Sequence, residues 1–109
     1  MIDWARVNDL RSEIGEDDFL EVVAMFLEEA DEAVGRLTSP PDLLQVESQL
    51  HFLKGAALSL GLTDLAALCQ AGERTAALGN AGIVDLVHVA QVYRTSRQML
   101  SRGINQLAL

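Results

Sequence analysis

The residues of this chain best suited to chemistry are His51 and the positions that share its helical surface, Ser48, Lys54 and Gly55. An imidazole, with an ordinary pKa near about 6.5, is a competent nucleophile at neutral pH, whereas serine or lysine needs strong activation. Such a histidine requires only orientation. Lys54, three positions on, is its neighbour on a helix surface and can offset the roughly −1.5 to −2 charge that a phosphoryl group adds. An exposed lysine ordinarily signifies nothing, but this one is the only basic residue between Arg36 and Arg74 in an acidic chain. Gly55, one turn beyond His51, weakens a helix by about 1 kcal/mol relative to alanine and so calls for a reason. Clearance is the natural one, because a partner's loop can approach the imidazole closely where no side chain stands.

Other chemistries fare less well. His88 lies among Val87, Val89 and Ala90 with no motif beside it, and reads as a partly buried structural histidine. His51 and Glu47 stand one turn apart, but no further His or Cys has ligand spacing with them, so no metal site is expected. Cys69 is the single cysteine, sits in an apolar helical context and reads as a small buried hydrophobe. The chain has no phosphate-cradling P-loop, no G-x-S-x-G and no kinase signature, and it is too small for a self-contained nucleotide-dependent kinase. It is not expected to be an enzyme.

The elements that must position His51 are helical. Leu43, Val46, Leu50, Leu53, Ala57 and Leu60 recur at steps of three and four and draw one apolar stripe, from which His51 lies roughly 130° away. Pro41 can open this helix and Gly61 can end it. Upstream, Asp3 can cap a short helix to about Ile14, with Trp4, Val7, Leu10 and Ile14 on one face and Gly15 as its stop. Glu16, Asp17 and Asp18 then oppose the positive end of a second helix dipole. That helix runs to about Leu37, its broad apolar face spanning Phe19, Val22, Val23, Phe26, Leu27, Ala30, Ala33, Val34 and Leu37, part of it available to a partner. Glu21, Glu28, Glu29, Asp31 and Glu32 fill its opposite side.

Residues 38–42 form the first loop, and residues 79–82 the second. Between them a helix from about Thr63 carries Leu65, Leu68, Cys69, Ala71, Ala76 and Leu78. A last helix carries Ile83, Leu86, Val87, Ala90, Val92, Tyr93, Met99, Leu100 and Ile104, after which the tail is expected to fray. No strand pattern competes. The expected fold is all-α: an antiparallel four-helix bundle with an additional short N-terminal helix, one domain over residues 1–109, with its two long helices before and through the motif.

The run Leu50 to Gly61 reads H-x-L-K-G-x5-G from His51, and here the chain resembles the histidine-containing phosphotransfer (HPt) domains of bacterial multistep phosphorelays. The resemblance rests on His51, Leu53, Lys54, Gly55 and Gly61 and extends through helix lengths and loop positions to nearly the whole chain. It implies that His51 is the phosphoacceptor, taking a phosphoryl group from the aspartyl phosphate of a receiver domain on a hybrid histidine kinase and passing it to the receiver of a response regulator. It implies that an acceptor on the adjacent helix orients the imidazole, and the corresponding residue, 22 positions after His51, is Glu73. It also implies no cofactor of the chain's own, the Mg²⁺ coming with the receiver. As a separate chain, the protein would shuttle between kinase and regulator.

Composition is compatible with this. Eight basic against sixteen acidic residues give a formal net charge of −8, which repels a phosphate backbone or an anionic lipid surface, so neither nucleic acid nor membrane is an expected partner. No secretory leader and no run of 18 uncharged apolar residues occurs, so a soluble, cytoplasmic location is expected. The rival reading is a helical adaptor that binds a partner through its apolar faces and is never phosphorylated. The Lys54–Gly55 pair and Glu73 separate the two, since an adaptor has no need of them.

Overall fold

The computed structural model describes residues 1–107, and among them the regular structure is helical. Asp3 starts α1 (Trp4–Ile14): its Oδ1 accepts the Arg6 N–H at 3.2 Å, satisfying one of the helix's unpaired donors. Gly15, at φ 95°, turns the chain through a conformation that favours glycine, and α2 (Glu16–Thr38) follows at once. After the proline loop come α3 (Val46–Leu60), α4 (Thr63–Ala77), a 3₁₀ turn at Ala81–Ile83 and α5 (Leu86–Leu107). Helices α2, α3, α4 and α5 each pack on the next and α5 returns to α2, which closes an antiparallel four-helix bundle. Helix α1 lies against α2 and α3 as the additional short helix. Among the described residues no helix is long and apolar enough to cross a membrane.

The stripe on α3 is the centre of the core. Val46, Leu50, Leu53, Ala57 and Leu60 are all buried, joined by Phe19, Val23, Leu27 and Leu37 from α2, Leu65 and Cys69 from α4, and Val89, Tyr93 and Leu100 from α5. Gly61 ends α3 at φ 74°, with its own N–H and that of Leu62 both directed at the Ala57 carbonyl. The same glycine receives the N-terminal segment: Asp3 N–H donates to its carbonyl at 2.8 Å, and a Cβ at 61 would stand 2.6 Å from the Asp3 oxygen. At this end of the bundle Trp4 lies directly over Gly103 of α5, in the space a side chain there would take.

Several expectations are corrected. The motif helix does not open at Pro41 but at Val46, because Asp42 Oδ1 accepts the Leu44 N–H at 3.0 Å and its carbonyl accepts that of Gln45 at 2.8 Å, a turn that competes with the helix. Leu43 therefore leaves the stripe and is 53% exposed. The two longest helices are α2 and α5, with 23 and 22 residues against 15 for α3. Ile83 lies in the 3₁₀ turn and is exposed, as are Val87 and, on or just past α4, Ala71 and Leu78. Val89 takes the core position instead. His88 is exposed, not partly buried, its backbone N–H capped by Asp85 Oδ1 at 3.0 Å. The last helix runs past Ile104 to Leu107, and the rest of the expected frayed tail lies outside the described residues.

Asp31 is also more than part of a solvated face. Its Oδ1 accepts Arg97 Nε–H at 3.0 Å and the Tyr93 hydroxyl at 2.5 Å, and its Oδ2 accepts Arg97 Nη2–H at 3.1 Å. This cluster ties α2 to α5. Burial works to raise the Asp31 carboxyl, but the Arg97 guanidinium and then the Tyr93 hydroxyl outweigh it and hold the group below the ordinary carboxylate range. A lowered folded-state value means that the stabilisation is complete above the unfolded pKa of about 3.9 and is lost as pH falls through the folded value. Thermal melts between neutral pH and pH about 2 should show this acid loss in the wild type and a shallower one in Asp31→Asn. Tyr93→Phe should cost about 1 kcal/mol at neutral pH in urea unfolding.

Candidate functional site

The buried pair Leu50 and Leu53 fixes the rotation of α3 about its axis, and His51 then emerges beside them toward solvent and toward α4. Its side chain is 68% exposed. Opposite it, Gly72 brings α4 close: a Cβ there would meet Leu50 Cδ1 at 2.9 Å and Val84 Cγ1 at 3.1 Å. The missing side chain lets α4 lie against the residue that precedes His51, and Glu73, next after Gly72, stands beside the ring.

His51 Nδ1 is 2.7 Å from Glu73 Oε1, and Lys54 Nζ is 2.8 Å from Glu73 Oε2. One carboxylate is thus shared by two residues a turn apart on α3. The Lys54 contact is an ion pair without the alignment of a hydrogen bond, and Oε2 is otherwise buried with no partner. The Lys54 ammonium foremost, and against burial the His51 ring as well, hold the Glu73 carboxyl below the ordinary carboxylate range. It is therefore ionised at neutral pH, and the contact with His51 is intact above the ordinary range and lost only as pH falls through the lowered value. An ionised carboxylate can only accept, so Nδ1 carries the hydrogen and donates it. The lone pair is left on Nε2 of an exposed ring, where it can attack an electrophile.

The structure brings together three of the four residues singled out from the sequence, His51, Lys54 and Glu73, and leaves the fourth, Gly55, as open surface one turn along. A Cβ at 55 meets no atom within 4 Å. His88 stands apart on α5, and its ring makes no hydrogen bond or ion pair among the described residues. Cys69, one turn before Glu73, is fully buried, and burial followed by the Glu73 charge pushes its thiol up to about 12. Among the described residues no three of His, Cys, Asp and Glu gather as a metal-ligating group. Sequence reasoning missed the Lys54–Glu73 contact and the part played by Gly72. For the latter a signal existed, since a glycine inside a helix and adjacent to Glu73 calls for a packing reason.

The space at Gly55 forecasts how substitution affects stability. Gly55→Ala should raise stability by up to about 1 kcal/mol, and Gly55→Gln should leave the bundle at least as stable as the wild type. Thermal melts decide this, and a loss of roughly 1–3 kcal/mol in the larger variant would reveal a neighbour that the residue overpacks.

A family model described as Hpt domain matches residues 21–107, from within α2 to the end of α5. No curated protein matches the chain, and no solved structure matches it.

Proposed function

The chain belongs to the Hpt domain family, and from that premise we propose that His51 is the phosphoacceptor of a phosphorelay, exchanging a phosphoryl group with aspartates of receiver domains. Histidine phosphotransfer is what Hpt domains perform in phosphorelays, as carriers rather than as enzymes. The observation that carries the assignment to His51 is its exposed ring with Nδ1 held by Glu73 at 2.7 Å. In the forward step the Nε2 lone pair attacks the phosphorus of an aspartyl phosphate. The N–P bond forms as the P–O bond breaks, and the aspartate leaves as a carboxylate with that bond's electron pair. The ring keeps its Nδ1–H and gains positive charge, which faces the ionised Glu73, an arrangement of the kind by which a carboxylate supports a catalytic imidazole. The reverse step returns the phosphoryl group to the aspartate of another receiver.

On this reading the partners are the receiver domains of a hybrid histidine kinase and of a response regulator, and the Mg²⁺ of the reaction comes with the receiver. This domain contributes position, and in-line phosphoryl transfer depends largely on position and charge neutralisation. Gly55 supports the reading as the opening through which a receiver loop approaches.

Incubation with a phosphorylated receiver domain and Mg²⁺ should give acid-labile, base-stable phosphate on the protein. His51→Gln should abolish that uptake with the fold intact, and His88→Gln should leave it unchanged. Gly55→Gln should slow uptake by up to about 10²-fold, because a displacement of the reacting groups by about 1 Å suffices for that. Uptake that persists in His51→Gln refutes the assignment, and a wild-type protein that binds receivers without taking phosphate returns the chain to the adaptor reading.

A further inference from the structure

We propose that the end of the bundle formed by residues 39–45 and 78–85 is a contact surface for a second copy of this chain, through which the protein forms a weak two-fold dimer. The inference is independent of the reading of His51 as phosphoacceptor.

Antiparallel packing brings the α2–α3 and α4–α5 connections to the same end of the bundle, and they meet there: a Cβ at Gly82 would lie 3.9 Å from Leu43 Cδ1. These connections carry the three most exposed large apolar side chains of the described residues, Leu44, Leu78 and Ile83. Leu43 and, at the start of α5, Val87 are also more than half exposed. Single exposed hydrophobes need no explanation, and Leu20, Met25 and Leu58 on the helix faces are of that kind. Five gathered at one end make a patch of the sort that marks an interface.

Charge indicates what covers it. A two-fold interface sets a surface against its own copy, so a surface of one sign is excluded. Most of the sixteen acidic residues fall within residues 1–32, on α1 and α2, and those faces repel themselves. A basic partner would likewise be drawn to α2. The loop end differs, because it carries both signs: Arg36 and Arg74 against Asp42, Glu47 and Asp85. Two of these acids are already engaged, Asp42 accepting the Leu44 N–H and Asp85 the His88 N–H, each at 3.0 Å. A second copy is thus admitted at this end while the net charge of −8 holds copies apart elsewhere. The exposed parts of five aliphatic side chains amount to on the order of 500 Å² per protomer, below the roughly 800 Å² of a standard interface, so the dissociation constant should lie above about 1 µM.

Sedimentation equilibrium from about 1 µM to about 1 mM should show the mean mass rising from that of one chain toward that of two. Sodium chloride at about 0.5 M should tighten the association, since it screens the repulsion between two chains of −8 and leaves apolar contact intact. Leu44→Glu and Ile83→Glu should each weaken it at least about tenfold, by setting like charges across the two-fold axis. Met25→Glu adds the same charge on α2 and should change it less than about twofold. Melting curves confirm that each variant is folded. Amide NMR of the wild type on dilution should move the signals of residues 42–45 and 78–84 and leave those of the outer face of α2 in place. A wild type that stays monomeric at about 1 mM overturns the proposal and leaves the patch to another partner. So does a dimer that survives both loop variants, or one whose dilution shifts fall on α2.

Discussion

A carboxylate oxygen withdrawn from water at the junction of two helices has to be compensated, and much of what surrounds His51 follows from how this chain compensates Glu73 Oε2. The compensation requires a cation on the facing helix within ion-pair distance, and that requires α3 and α4 to lie close. Closeness comes from small or buried residues at the contact: Gly72 beneath Leu50, and Cys69 one turn earlier on α4. Given that spacing, Lys54 reaches Oε2, Oε1 is left pointing at the next turn of α3, and the residue found there is His51. Replacing Gly72 with a larger residue would act on the ring without touching it, by lifting Glu73 away from α3.

The histidine is exposed, yet the helix that carries it is anchored in the core. Leu50 and Leu53 on either side are fully buried, and α3 is packed by α1, α2 and α4. An exposed nucleophile on a rigid helix needs little reorganisation before reaction, since only its ring torsions remain free and Glu73 limits those. Elements away from the site serve the bundle. Helix α1 is fastened at Gly61 and over Gly103, and the Asp31, Tyr93 and Arg97 cluster ties α2 to α5. None of these contacts involves His51, which lets the fold be stabilised without constraint on the face that a partner must reach.

How far the sequence could be read follows from which features are local. The stripe from Val46 to Leu60, the Asp3 cap and the stops at Gly15 and Gly61 depend on neighbours within one turn, and all appear as the periodicity implies. The start of α3 is not legible because proline permits a helix start without requiring one, and Asp42 closes its own turn first. The exposure of His88 is not legible because its apolar sequence neighbours point about 100° or more away on a helix, so Val89 and Ala90 can be buried while His88 is not. Asp31 carries nothing local to distinguish it from Glu28 or Glu32, and its partners lie on α5, more than sixty residues on. The Lys54–Glu73 contact is of the same kind. Periodicity places both residues on facing helices, but the sharing of one carboxylate between two side chains is a matter of tertiary distance.

That sharing bears on why a carboxylate serves beside a nucleophilic ring. An ionised carboxylate with no other partner favours the doubly protonated imidazole, which has no lone pair to offer. With Lys54 on Oε2 the same carboxylate is part of a pair of zero net charge, and its Oε1 accepts from Nδ1–H. In the proposed transfer the requirement reverses once phosphorus is bound to Nε2, because the ring itself then carries positive charge and benefits from the anion it faces. A neutral acceptor could orient His51 but would answer only the first requirement. The ion pair meets both, since its anionic end is already directed at the ring and its cationic end is held on the far side of the carboxylate.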